Sequence, residues 1–92
     1  MSAPDRLHAV VRGRVQGVGF RYTTLRRALS LGIVGWVANR HDGSVEVVAE
    51  GRRAALDTFL DFLHIGPPAA DVREVDLQWT TASGEFKTFG VR

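Results

Sequence analysis

The sequence predicts an α+β fold in the order β-α-β-β-α-β plus a short terminal strand, giving an antiparallel sheet with two helices on one face. Three observations carry this. Alternation with period two marks residues 6–15, 45–50 and 72–79. Apolar residues recur at helical spacing in 21–32 and 52–64. Asp42-Gly43 is a strong hairpin signal between two β-rich runs.

The first strand, Arg6 to Val15, alternates loosely, with Leu7, Ala9 and Val11 on one side and His8, Val10 and Arg12 on the other. A glycine-rich run follows. In the first helix, RYTTLRRALSLG, the residues Tyr22, Leu25, Ala28 and Leu29 share a face, and Gly32 stands where a left-handed cap belongs. Arg26 and Arg27 fall on its solvent side. Ile33 to Asn39 is a compact β-rich run, and RHDG makes the turn. In SVEVVAE, Val45, Val47 and Ala49 face one way and Glu46, Val48 and Glu50 the other. The second helix is the clearest, with Leu56, Phe59, Leu60 and Leu63 at i, i+3, i+4 and i+7. Gly66-Pro67-Pro68 ends it, because proline cannot continue a helix. Val72 to Trp79 alternates again, and FKTFGVR supplies the last strand.

Ninety-two residues correspond to one small domain, residues 1–92. The absence of cysteine excludes disulfides, thiolate metal sites and a cysteine nucleophile. No apolar run reaches the roughly 20 residues of a membrane span, and the first ten residues lack the apolar stretch of a signal peptide. A cytoplasmic protein that does not bind membranes is expected. Without a large apolar stripe, a monomer is the default. The net charge of +2 is too small to argue for nucleic acid, and neither side of the alternating strands offers the aromatics of a base-stacking platform.

The stretch GRVQGVGFR, residues 13–21, joins a strand to a helix start. Its glycines permit positive φ and close backbone approach. Successive N–H groups in such a loop can form an anion nest, and a helix N-terminus adds donors and partial positive charge. Arg21 lies at that same helix start, where a cation is unfavourable unless an anion binds beside it. The competing reading is a tight turn with a surface arginine. The glycines at 13, 17 and 19 match neither a dinucleotide fingerprint nor a P-loop with its Lys-Ser/Thr pair. Asn39, just before the turn, has two readings: turn chemistry, or an amide that holds a water without acting as its base.

Other candidates have plainer readings. His8, His41 and His64 show no metal-ligand spacing. Asp57 and Asp61 at i, i+4 fit a solvated helix face. Ser30, Ser44 and Ser83 lack a nucleophile elbow. Thr23 or Thr24 is placed to buttress the loop or to serve the first helical turn. Trp36 is expected to pack near the sheet.

With these residues in view, the sequence resembles the acylphosphatase family. The matching stretches are GRVQGVGFR at 13–21, GWVANRHDGSVEVVAEG at 35–51, GPPAADV at 66–72 and FKTFGVR at 86–92, which together span nearly the whole chain. The resemblance implies a ferredoxin-like α/β sandwich that hydrolyses the carboxyl-phosphate bond of a small-molecule acyl phosphate, releasing a carboxylate and inorganic phosphate. It implies no metal and no cofactor. The catalytic residues it points to are Arg21 and Asn39. The phosphate cradle it points to is the backbone of Val15, Gln16, Gly17, Val18, Gly19 and Phe20. Ala38 and the RHD of the turn depart from the usual family pattern, which bears on substrate preference rather than chemistry. The alternative function on this fold is a non-catalytic domain that binds a small anion.

Overall fold

Alternation in the first segment produces strand β1 (Asp5–Arg14), in which Leu7, Ala9 and Val11 are wholly buried. The structure is a computed structural model and describes residues 4–92. The elements that follow are α1 (Phe20–Ser30), β2 (Val34–Asn39), β3 (Val45–Gly51), α2 (Arg53–Ile65), β4 (Asp71–Thr81) and β5 (Phe89–Val91). The sheet order is β4-β1-β3-β2-β5.

The β-α-β-β-α-β order and the terminal strand are as expected, and strands β1 to β4 pair antiparallel. The last strand corrects the expectation of a wholly antiparallel sheet, because β5 runs parallel to β2 and the sheet is mixed. The reason is topological. Thr81 at the end of β4 lies opposite Asp5, and Val34 at the start of β2 lies opposite Glu50, so both points are at one end of the sheet. A segment that crosses this end and enters beside β2 must run in the same direction as β2.

Both helices pack on the face formed by Leu7, Ala9, Val11, Val37, Val45, Val47 and Ala49. The second helix buries Leu56, Phe59 and Leu63 as its spacing predicts; Phe62 is also buried and Leu60 only half so. The first helix is rotated from expectation. Its buried residues are Phe20, Thr24 and Ala28, whereas Tyr22 is 63% and Leu29 54% exposed. The helix begins on Phe20, whose ring packs 6.1 Å from that of Phe62. The i, i+4, i+8 line from that anchor runs through the small residues Thr24 and Ala28, which lets the helix axis approach the sheet closely. Gly32, at φ +69°, closes the helix as expected, and the Ile33 N–H returns to the Ala28 carbonyl at 2.9 Å.

The segment from β4 to β5 is held by a buried carboxylate. Glu50 is 2% exposed and accepts bonds from Arg6 Nε (2.6 Å), the Ser83 N–H (2.9 Å), the Ser83 hydroxyl (2.9 Å) and the Gly84 N–H (3.1 Å). Burial alone would push this carboxyl's pKa up. The Ser83 N–H, Arg6, the Gly84 N–H and the Ser83 hydroxyl outweigh burial and hold it at about 2. Because that value lies below the 4.5 of an unperturbed glutamate, the stabilisation is complete above about pH 4.5 and is lost as pH falls towards 2. Replacing Glu50 by Gln should lower stability at neutral pH by about 1–3 kcal/mol, because the charge-assisted bonds are lost. It should also flatten the acid limb between these two pH values. Urea titrations across pH check this; a variant with the wild-type midpoint and acid limb would overturn it.

Candidate active site

At the opposite end of the sheet, β1 runs into the glycine-rich loop. The register against β4 shifts between Arg12 and Gly13, and Gly13 sits at φ +130° where a Cβ would collide with the Asp71 carbonyl oxygen. Val15 and Phe20 are buried and anchor the two ends of the loop in the core. Between them Gly17 (φ +75°) and Gly19 (φ +78°) are left-handed, whereas Val18 is not. A Cβ at either glycine meets no atom within 4 Å, so glycine is required there by backbone conformation and not by space. Alternation of this kind turns successive N–H groups to one side.

Those donors are unfilled. Among the described residues, no hydrogen bond is made by the N–H groups of Gln16, Gly17, Val18, Gly19 or Phe20. Gly19 caps α1 without a side-chain bond, and the first turn holds no acidic residue. The positive end of the helix is therefore left without a negative partner in its first turn. Thr23 steadies the cap, since its hydroxyl (2.9 Å) and its N–H (3.1 Å) both donate to the Gly19 carbonyl.

The loop is sewn to the β2–β3 turn by one side chain. The Gln16 amide donates to the carbonyls of Arg40 (2.7 Å) and Ser44 (2.9 Å). The turn is braced from within: the Arg40 N–H reaches the Ser44 carbonyl at 2.9 Å, and Asp42 accepts from the Ser44 hydroxyl (2.5 Å) and N–H (3.0 Å). These two Ser44 bonds, helped by Arg12, hold the Asp42 carboxyl down at about 2. Asn39 stands directly before this turn, on the same strand face as the buried Val37. Its amide is exposed and has no hydrogen-bond partner among the described residues. The Arg21 guanidinium is also exposed, with a single long contact of 3.4 Å to the Arg92 carbonyl.

Gly17, Gly19, Arg21 and Asn39 line one open cleft of about 290 Å³, together with Val15, Phe20, Tyr22 and Val91. The fold thus joins two stretches that are separate in the sequence. Of the residues named for the cradle, Gln16 and Val18 do not line the cleft, and the Gln16 side chain turns to the hairpin instead. Two lining residues were missed by sequence reasoning. Tyr22 was expected on the buried face of α1, and Val91 reaches the cleft only because β5 lies beside β2. The plainer readings also resolve. Asp57 pairs with Arg53 at 3.2 Å, His8 Nε2 meets Glu46 at 2.7 Å, and the Arg92 guanidinium lies over the Trp36 ring at 4.5 Å. Among the described residues, no three His, Cys, Asp or Glu side chains gather as metal ligands would.

This arrangement places an open cleft, lined by a guanidinium and an amide, at a helix N-terminus on a mixed α+β sandwich. The sequence profile of the acylphosphatase family matches residues 7–91. An acylphosphatase from Moorella thermoacetica is 51% identical over 87 residues, covering 95% of this chain and 92% of its own length. One from Acaryochloris marina is 49% identical over 85 residues, covering 92% and 90%. The crystal structure of acylphosphatase from Bacillus subtilis superimposes with a TM-score of 0.92 at 35% identity, covering 96% of this chain and 98% of that one. The chain belongs to the acylphosphatase family and is a hydrolase.

If Gln16 ties the loop to the turn, Gln16→Ala should lower stability by about 1–2 kcal/mol through its two lost bonds. It should also speed amide exchange at Arg40 and Gly43. Hydrogen exchange read residue by residue checks this, and unchanged protection in the turn would refute the tie.

Proposed function

We propose that this cleft hydrolyses acyl phosphates by holding the phosphate in the 15–20 loop and presenting a water from Asn39. The observation that carries the proposal is the meeting of unfilled N–H donors, Arg21 and Asn39 on one cleft. In this reading the N–H groups of the loop from Val15 to Phe20 bind the phosphate oxygens. The Arg21 guanidinium grips two of those oxygens, matching their spacing with its fork of donors. Charge that builds on the oxygens during reaction is met by donors already in place.

Acyl phosphates are mixed anhydrides, and carboxylate is a good leaving group. Catalysis therefore needs mostly positioning and electrostatic stabilisation. Asn39 binds the water through its amide and directs it at the carboxyl-phosphate bond. Water adds across that bond; the carboxylate leaves with the bonding electrons, and a water proton passes to a phosphate oxygen. The substrate thus serves as its own base. Asparagine cannot accept the proton, and arginine carries no ionisation between pH 5 and 8.

Hydrolysis of benzoyl phosphate with a chelator present tests the proposal. Arg21→Ala should cost at least roughly 10²–10³ in rate, the magnitude for one lost oxyanion donor. Asn39→Ala should abolish turnover while inorganic phosphate still binds. A folded wild type that binds phosphate without turnover would move the assignment to a non-catalytic anion-binding domain. Wild-type rates should show no enzyme ionisation between about pH 5 and 8. An ionisation near 6.5 that disappears in His41→Ala would contradict the substrate-as-base mechanism.

A further inference from the structure

Beside the cradle, the cleft carries an apolar wall that phosphate binding leaves unused. Tyr22 and Val91 are 63% and 45% exposed, and both line the cleft with Gly17, Gly19, Arg21 and Asn39. Single exposed apolar residues need no explanation. Here two of them, from elements far apart in sequence, stand at one cleft where charged and polar groups already gather. Val15 and Phe20 also line it but are buried, so Tyr22 and Val91 supply its accessible apolar surface. Among the described residues, no acidic side chain lines the cleft. Tyr22 follows Arg21 directly on α1, so its backbone is fixed by the same helix start that positions the guanidinium. Its ring has the Arg26 guanidinium over it at 5.9 Å. Val91 is fixed by its ladder pairing with Val37, two residues before Asn39.

We infer that Tyr22 and Val91 receive the acyl group, and that the cleft favours acyl phosphates whose acyl group is apolar and larger than a methyl. This rests on the proposed function, because it assigns the other half of the same substrate. An aromatic or branched acyl group loses water-exposed apolar area against the wall, whereas a methyl has little such area to bury. The wall acts on substrate choice and the cradle on the phosphate, so the two separate experimentally.

The test compares benzoyl phosphate with acetyl phosphate in wild type, Tyr22→Ala, Tyr22→Phe and Val91→Ala. The ratio of kcat/KM for benzoyl over acetyl phosphate should fall about tenfold in Tyr22→Ala, the scale of one lost aromatic contact. It should fall less in Val91→Ala and hold in Tyr22→Phe, because the ring and not the hydroxyl makes the wall. A second arm does not depend on turnover. Phenylphosphonate and methylphosphonate compete with bound inorganic phosphate at a pH where both are dianions. Wild type should favour the phenyl compound, and Tyr22→Ala should lose that preference with its phosphate affinity kept. Ratios unchanged by both alanine variants, or a phosphate affinity that falls in parallel, would overturn the wall. Absence of hydrolysis with the phenyl preference intact would defeat the catalytic proposal and leave the wall standing.

Discussion

The structure depends on a buried carboxylate. Glu50 lies one residue before the end of β3 with almost no exposure, and a charge placed there is costly unless every lone pair is met. Arg6, Ser83 and Gly84 meet it, and two of these lie in the segment that follows β4. That segment then crosses the end of the sheet and delivers Phe89 to the core. Phe89 packs edge-on against Phe59 with ring centres 6.0 Å apart, which ties β5 to α2. Once β5 is beside β2, Val91 stands at the far end next to Asn39. The contact that closes one end of the sheet therefore helps to shape the cleft at the other.

The two ends differ in how they treat polar groups. Around Glu50, donors and acceptors are matched. In the loop after β1, N–H groups are presented and left unmatched, the helix cap has no side-chain bond, and no carboxylate stands in the first turn. Unfilled donors at a helix start cost little in water but become strong when an anion replaces that water. The loop holds this arrangement because its ends are buried and its middle is pinned. Val15 and Phe20 fix the ends, and Gln16 reaches across to Arg40 and Ser44. The outer sheet face is closed differently, by a hydrogen-bond contact between His8 Nε2 and Glu46 and by cross-strand ion pairs from Arg12 to Asp76 and Glu74. Exposed pairs of that kind add little stability, but they place opposite charges on neighbouring strands and so favour one register.

Most of the fold was legible in the sequence, because period-two and helical spacings report which faces are buried. The alternation of Leu7, Ala9 and Val11 and the spacing of Leu56, Phe59 and Leu63 each describe a burial pattern the structure shares. Gly32, Gly17 and Gly19 announced their positive φ because no other residue adopts it cheaply. The first helix was misread where a short sequence is ambiguous. Tyr22 and Leu29 keep the helical spacing, but Phe20, packed against Phe62, and Thr24 take the core face and leave them exposed.

The sequence by itself determined the order of elements, the glycine loop between β1 and α1, and the presence of an arginine and an asparagine beside a loop and a turn. These are local properties, written in residue type and spacing. Tertiary structure alone decided that Asn39 stands across from the loop, that Gln16 locks the two together, that β5 enters parallel and that Tyr22 and Val91 share a cleft. Such facts depend on which strand lies beside which and on how a helix rolls on its sheet. Those choices follow from contacts between residues more than 70 positions apart, such as Arg21 and Arg92, whose separation of 71 leaves no periodic trace in the chain.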